Sequence, residues 1–160
     1  MNLILLAAGN GRRMKSNLPK VLHEICGRSM ICRVLDITQK LKNLNTTIVV
    51  QKDHNLIKEN INKNIDGKKV FHFAIQNEQL GTGDAVKSAL NHLDNSLFTL
   101  ILYGDVPLIE FKTIKLLCGN LDSNSDIRIL TANVIDPKGY GRIIRNKTKQ
   151  IIKIIEEKDA

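Results

Sequence analysis

A short segment near the amino terminus combines glycines and cations in a pattern suited to binding phosphates. Gly9 and Gly11 follow an apolar run, and Arg12, Arg13 and Lys20 come soon after them. Glycines allow the backbone to turn tightly and to approach a ligand, and the cations offset the negative charge of a triphosphate. The segment matches neither G-x-x-x-x-G-K-[ST] nor G-x-G-x-x-G, so a simple turn after a strand stays open as an alternative.

A second candidate group follows the most apolar predicted strand, residues 97–103. Gly104 and Asp105 come directly after Tyr103 at the end of this strand. A carboxylate oxygen is a ligand that Mg²⁺ prefers, and a carboxylate at a strand end commonly holds this ion against nucleotide phosphates. We therefore predict a magnesium ligand at Asp105, with an aspartate that caps the turn before Pro107 as the alternative.

A third candidate group follows the predicted strand 70–74. The run from Gln76 to Gln79 is polar, and Gly81 and Thr82 come shortly after it. Thr82 is predicted to cap a helix over residues 83–93. Capping does not explain the polar run, whose amide groups are suited to hydrogen-bonding the edge of a base.

The elements that must position these groups alternate between strand and helix. The predicted strands cover residues 2–6, 46–50, 70–74, 97–103 and 127–134. The predicted helices cover residues 30–41, capped by Ser29, and then 54–64, 83–93 and 111–121. This alternation predicts an α/β fold, a doubly wound and mostly parallel sheet with helices on both faces. Ligands collect beyond the carboxyl ends of such strands, so the three candidate groups should converge on one rim. Residues 141–145 and 150–156 predict a hairpin around Asn146 and Lys147.

Composition narrows the class of protein. The 160 residues are 42% hydrophobic and 25% charged, which is typical of one globular domain, and no apolar run approaches the roughly 20 residues that cross a bilayer. The net charge of +8 comes from lysines spread along a chain with few aromatic residues, so we expect no nucleic-acid partner. No signal-peptide pattern opens the chain, so we expect a cytoplasmic protein without a membrane partner. Its three cysteines lack C-x-x-C spacing and are expected to be reduced.

Taken in order, these motifs resemble the uridyltransferase domain of the bifunctional bacterial UDP-N-acetylglucosamine pyrophosphorylase/glucosamine-1-phosphate N-acetyltransferase family. This domain has a Rossmann-like nucleotide-diphospho-sugar transferase fold. The matching motifs are residues 6–11, 13–14, 18–23, 79–83, 102–108 and 139–143. The first of them marks only the wider nucleotidyltransferase superfamily, whereas the later ones are more specific.

The resemblance implies a reaction that joins UTP to N-acetylglucosamine 1-phosphate, giving UDP-N-acetylglucosamine and pyrophosphate for cell-envelope precursors such as peptidoglycan and lipopolysaccharide. It implies Arg13 and Lys20 as catalytic residues that neutralise phosphate charge, and Asp105 as the ligand of a Mg²⁺ cofactor. The implied substrate-binding residues are Leu6, Ala7, Ala8, Gly9, Lys20, Gln76, Gly81, Thr82, Tyr103, Gly104, Asp105, Gly141 and Glu156. Of these, Gln76, Gly81 and Thr82 would contact the uracil side. Gly141 and Glu156 would contact the N-acetylglucosamine.

The chain departs from the family pattern in sequence and in length. Arg12 stands where the family commonly has a small hydroxyl residue, and Asp84 where it commonly has histidine. The family's uridyltransferase domain continues past Ala160 and there supplies a second metal ligand. A left-handed β-helix acetyltransferase domain, through which the family trimerises, would come later still. We therefore expect residues 1–160 to be a C-terminally incomplete nucleotidyltransferase domain with weak or absent turnover. Because the family trimerises through the β-helix, a monomeric state of these residues stays open.

Two other functions stay open at this point. One is a non-catalytic fragment that binds a nucleotide. The other is a nucleotidyltransferase with a different substrate, such as a cytidylyl- or guanylyltransferase, against which residues 79–83 and 139–143 argue.

Overall fold

Strand β1, Asn2–Leu6, is buried along its whole length because it lies inside a parallel sheet. The computed structural model describes residues 1–9, 11–66, 69–119 and 127–159. The chain divides into two units, Met1–Asp122 and Ser123–Ala160. After β1, the first unit contains β2 (Glu24–Ile25), β3 (Arg28–Ser29), α1 (Met30–Thr38), β4 (Asn45–Val50), α2 (Asn55–Asn64), β5 (Phe71–Ile75), α3 (Thr82–Ser88), β6 (Thr99–Tyr103) and α4 (Phe111–Cys118).

The main sheet has four parallel strands in the order β5-β4-β1-β6. Leu6, the last residue of β1, pairs with Val49 of β4 on one side and with Tyr103 of β6 on the other. All four carboxyl ends therefore lie at one edge of the sheet. The predicted doubly wound α/β fold is confirmed. Among the described residues, no helix is long and apolar enough to span a membrane.

Helices cover both faces of the sheet because successive side chains of β1 point in opposite directions. Leu3 and Leu5 belong to a core on the face where α1, α2 and α4 pack. Ile4 and Leu6 belong to a second core, to which α3 contributes the small side chain of Ala85. A small residue lets α3 approach the sheet closely, which brings the start of this helix near the carboxyl edge.

The second unit contains an antiparallel hairpin of β7 (Arg142–Arg145) and β8 (Ile151–Ile155). Its turn is organised by Asn146, whose Oδ1 accepts hydrogen bonds from the backbone N–H groups of Thr148 at 3.0 Å and Gln150 at 2.9 Å. The predicted hairpin around Asn146 is confirmed.

The strand predicted over residues 127–134 is wrong. These residues have no regular secondary structure and are mostly exposed, although the segment is rich in β-branched side chains. A strand needs a neighbour that completes its backbone hydrogen bonds. Among the described residues of the second unit, only β7 and β8 pair as strands. Local composition could not supply that missing partner.

Three helices end before their predicted last residues. Helix α1 ends at Thr38 rather than at residue 41, because Lys40 and Leu41 donate to the carbonyl groups of Ile37 and Thr38 in a tightened last turn. The predicted helix over 83–93 is α3 followed by a separate 3₁₀ turn, Leu90–His92. The helix predicted to reach residue 121 ends at Cys118, and residue 121 itself lies outside the described residues.

Neither predicted cap accepts a hydrogen bond from the first turn of its helix as expected. Gly81, with φ +118°, occupies the cap position of α3, so Thr82 is the first helical residue and the prediction that it caps the helix is wrong. Ser29 does stand at the cap of α1, but its hydroxyl donates to Asn60 Oδ1 at 2.7 Å instead of capping.

A short hairpin of β2 and β3 was not predicted. Its two-residue turn is Cys26 and Gly27, both with positive φ, at +49° and +71°. Positive φ at both central positions is the geometry that hairpin turns favour. Cysteine is rarely found in that conformation, so the sequence carried little signal for this turn.

Candidate functional site

The candidate site lies where the order of strands reverses. From β1 the chain passes to β4 and β5 on one side, and β6 then returns to the other side of β1. In open parallel sheets, ligands bind in the crevice beyond the carboxyl ends of the strands at such a point. Gly104 follows β6, and its N–H donates to Leu6 O at 2.9 Å. A Cβ on Gly104 would lie 3.2 Å from both that oxygen and Val21 Cγ1, so a larger residue would crowd the two strand ends.

Neighbouring strands hold the segment that follows β1. The N–H of Ala7 donates to Val49 O at 2.8 Å. The carbonyl of Ala8 accepts two side-chain hydrogen bonds, from Gln51 Nε2 at 2.8 Å and from Gln79 Nε2 at 3.0 Å. The backbone is thus fixed on both sides before it enters the glycine segment.

Gly11 brings this segment against Lys20. Its φ is +57°, and a Cβ there would lie 2.8 Å from Lys20 Cβ, a distance that real side chains do not tolerate. Lys20 opens the 3₁₀ turn Lys20–Leu22, which is anchored by the buried side chains of Val21 and Leu22. Glycine is therefore required at position 11 both for the turn and for the close approach of the lysine.

Lys20 and Asp105 form an ion pair across the site. Lys20 Nζ lies 2.5 Å from Asp105 Oδ2, and the two side chains are 34% and 28% exposed. Such a pair, open to solvent, contributes only about 0–1 kcal/mol to stability. An anionic ligand can therefore compete for the lysine at little cost.

A wall of polar groups stands at the end of β5. The N–H of Gln76 donates to Val50 O at 2.9 Å, which continues the pairing of β5 with β4. The Gln76 side chain is buried, and its Nε2 donates to Gly81 O at 3.1 Å and to Asp84 Oδ2 at 2.9 Å. These bonds tie the strand end to the start of α3.

The structure brings most of the predicted site residues of the first unit together. They line one pocket of about 290 Å³, close to the lower limit of the roughly 300–1,000 Å³ usual for small-molecule sites. The predicted residues in its wall are Leu6, Ala7, Ala8, Gly9, Lys20, Gln76, Gly81, Thr82, Tyr103 and Asp105. Arg13 lines the adjoining groove, together with Gly11, Lys20 and Asp105. Gly104 is not part of this lining, but its N–H donates to the carbonyl of Leu6, which is.

Gly141 and Glu156 lie in the second unit, at the open end of the hairpin. A Cβ on Gly141 would lie 3.3 Å from Ile155 O and 3.9 Å from Glu156 Oε2, so the two predicted residues are neighbours. Beside them, Glu157 pairs with Arg142 Nη1 at 2.8 Å. The pKa of Glu157 is lowered, first by a backbone hydrogen bond from Gly139 and then by Arg142.

Asp105 is suited to contribute one oxygen ligand to a Mg²⁺ ion. Magnesium is usually held by one or two carboxylates together with phosphate oxygens and water. In the part of the chain that the structure describes, no cluster of three or more His, Cys, Asp or Glu side chains could hold a metal by itself. The residues present therefore fit an ion that is shared with a phosphate ligand.

Some features of the site were missed from the sequence. Gln51 directly follows β4 and donates a hydrogen bond to the carbonyl of Ala8. Its position at the carboxyl end of a strand was the signal that could have identified it. Val21 and Ala85 form apolar parts of the pocket wall, and their residue types carry no signal that separates them from ordinary core residues. The direct pairing of Lys20 with Asp105 was also not expected. The side chain of Arg12, predicted as a further cation, lies outside the described part of the structure.

Comparison with known proteins places this site in a family. The model of the MobA-like NTP transferase domain matches residues 3–152. The chain belongs to this family. For the transferase domain, the expected resemblance to the bifunctional enzyme is confirmed by curated relatives named bifunctional protein GlmU. The protein from Ralstonia nicotianae is 41% identical, and the one from Cupriavidus metallidurans is 43% identical. Each alignment covers 100% of this chain but 34% of the relative, so the chain spans about a third of their length.

Solved structures support the fold of the transferase domain. HddC from Yersinia pseudotuberculosis has a TM-score of 0.73 at 22% identity, over 98% of this chain and 69% of that one. A second structure of HddC, complexed with GMP-PN, has the same TM-score at 23% identity and the same coverage. At these identities the likeness concerns the fold alone.

Proposed function

We propose that the transferase domain is a uridyltransferase that joins UTP to N-acetylglucosamine 1-phosphate. One observation carries the proposal. Lys20, Asp105 and Gln76 lie around a single pocket at the switch point of the sheet, with Arg13 in the adjoining groove. Sequence identity of 41–43% to proteins named bifunctional protein GlmU agrees with the family resemblance, which implies these substrates. The product, UDP-N-acetylglucosamine, would serve cell-envelope synthesis in the cytoplasm.

In the proposed reaction, an oxygen of the sugar phosphate attacks the α-phosphorus of UTP. The bond from this phosphorus to the oxygen that bridges to the β-phosphate breaks, and pyrophosphate leaves. The attacking oxygen is already anionic, so no general base is required, and the protein contributes positioning and charge neutralisation.

Each part of the site has a role in this proposal. Lys20 and Arg13 bind the triphosphate and stabilise the charge that develops on the leaving pyrophosphate. When bound at Asp105, Mg²⁺ would supply additional positive charge beside the phosphates. Gln76, Gly81 and Thr82 contact the uracil base, and Leu6 to Gly9 contact the rest of the nucleotide.

Recognition of the sugar is assigned to the second unit. Gly141 and Glu156 are neighbours at the open end of the hairpin. A carboxylate beside a glycine can accept hydrogen bonds from sugar hydroxyl groups while the bare backbone lets the ring approach. We therefore include both residues in the proposed site for N-acetylglucosamine.

Two measurements on the 160-residue chain test the proposal. Calorimetric titration with UTP in Mg²⁺ measures binding, and a coupled assay measures pyrophosphate release from UTP, CTP or GTP with N-acetylglucosamine 1-phosphate. Release that requires the sugar phosphate and favours UTP supports the uridyltransferase. Binding of UTP without release supports the second candidate, a nucleotide-binding role, which is favoured because Asp105 is the one carboxylate among the described residues that line the pocket. A folded chain that does not bind UTP would overturn both.

A further inference from the structure

The Gln76 side chain is held in one orientation in the wall of polar groups at the end of β5. It lines the pocket although the residue is only 7% exposed, and its backbone is fixed against β4. A side chain in this position can adopt few other rotamers when a ligand binds. The orientation of its amide therefore decides which polar atom a ligand meets.

Both hydrogens of the Gln76 amide have acceptors within the protein. Nε2 lies 3.1 Å from Gly81 O and 2.9 Å from Asp84 Oδ2. A carbonyl and a carboxylate only accept hydrogen bonds, so a reversed amide would set Oε1 against two acceptors. The bond to the carboxylate is charge-assisted and is the stronger of the two. The one polar atom of the amide left for a ligand is Oε1, an acceptor.

We propose that Asp84 is a positioning residue for base selection, whose carboxylate fixes the Gln76 amide so that Oε1 accepts a hydrogen bond from N3–H of uracil. The inference rests on the proposed uridyltransferase function and extends it to a residue outside the predicted site. Cytosine carries a lone pair rather than a hydrogen at N3, and this lone pair would face Oε1. A site built to bond one N–H discriminates against an analogue that lacks it, because its own polar atom is left unpaired.

Asp84→Asn tests the role of the carboxylate with almost no change of volume. An asparagine at position 84 can accept from Gln76 or donate to it, so only the weaker bond to Gly81 O still selects one orientation of the Gln76 amide. We expect the ratio of UTP affinity to CTP affinity to fall by about tenfold, equal to about 1.4 kcal/mol. Glu59→Gln is the matched control. It removes the same charge from an exposed position on α2, which packs on the other face of the sheet from α3.

The affinities are measured by calorimetry on the folded 160-residue chain in Mg²⁺. A fallen ratio in Asp84→Asn with an unchanged ratio in Glu59→Gln supports the proposal. A general loss of stability would weaken the binding of UTP and CTP alike and would leave the ratio unchanged. An unchanged ratio in Asp84→Asn therefore overturns the proposal.

A second measurement needs no variant. The parent chain should bind 3-methyluridine triphosphate, which has no N3–H, at least about tenfold more weakly than UTP. Equal affinity for the two overturns the role of Oε1 but leaves the uridyltransferase standing. Failure of the folded chain to bind UTP at all overturns the uridyltransferase and this inference with it.

Discussion

Replacing Asp105 with asparagine should change the affinity for UTP in opposite directions with and without Mg²⁺. Lys20 Nζ lies 2.5 Å from Asp105 Oδ2, so a phosphate that recruits this lysine must compete with the carboxylate. The side chains are 34% and 28% exposed, and a pair so open to solvent contributes at most about 1 kcal/mol. In EDTA, Asp105→Asn should therefore strengthen UTP binding by up to about fivefold.

In excess Mg²⁺ the expected sign is reversed. Asp105 is then the proposed protein ligand of the ion, and an asparagine supplies a neutral oxygen in place of a charged one. The lost attraction outweighs the gain from a freed Lys20. We expect UTP binding to weaken by about tenfold, which corresponds to about 1.4 kcal/mol.

Calorimetric titration with UTP in the two buffers measures both effects. Glu110→Gln is the matched control, because Glu110 is an exposed carboxylate that pairs with Lys112 at 2.7 Å and removing it changes the net charge equally. Its UTP affinity should stay within about twofold in both buffers. A shift of Asp105→Asn in the same direction in both buffers would refute the competition between the carboxylate and the phosphate. An equal shift in the control would instead reveal a general effect of charge.

Two further predictions concern the loop and the cysteines. Gly11→Ala should destabilise the chain by about 1–3 kcal/mol, because position 11 has φ +57° and abuts Lys20, whereas Gly83→Ala in α3 should stabilise it by about 0.5–1 kcal/mol. Urea unfolding compares them, and a Gly11→Ala chain as stable as the parent would contradict the close approach. Burial raises the pKa of the Cys32 thiol while Cys26 is exposed, so iodoacetamide at neutral pH should label Cys26 first by peptide mass spectrometry. Equal labelling rates would show that Cys32 is not protected.

Strong local patterns predicted most of the main sheet and the place of the candidate site. The apolar run at residues 2–6 is β1 with the same bounds, and the rule of carboxyl ends placed Gln76 and Asp105 on one pocket. The segment 127–134 shows the limit of such patterns. Its β-prone residues could not indicate whether a neighbouring strand would pair with them, and the structure leaves them irregular.

Contacts between side chains distant in the chain could not be predicted from residue types. The sequence predicts that Lys20 binds a phosphate and that Asp105 binds a metal, and neither residue type indicates that the two side chains pair with each other. In the folded chain the two side chains, 85 positions apart in the sequence, contact each other because β1 and β6 are neighbouring strands. The amide of Gln76 is a similar case, since its orientation depends on Gly81 and Asp84 and not on its own type.

Asp84 and Asp105 each accept a hydrogen bond from a donor at the pocket, but one donor is a neutral amide and the other a charged ammonium. The variants Asp84→Asn and Asp105→Asn should therefore affect nucleotide binding differently. Asp105 holds the ammonium of Lys20, for which the phosphates of any nucleotide compete. Asp105→Asn should therefore shift the affinities for UTP and CTP together and respond to Mg²⁺. Asp84 holds the neutral amide of Gln76, so Asp84→Asn should shift the ratio of the two affinities equally in EDTA and in Mg²⁺. A ratio that moves in Asp105→Asn, or that depends on Mg²⁺ in Asp84→Asn, would contradict the separation of base and phosphate recognition within this pocket.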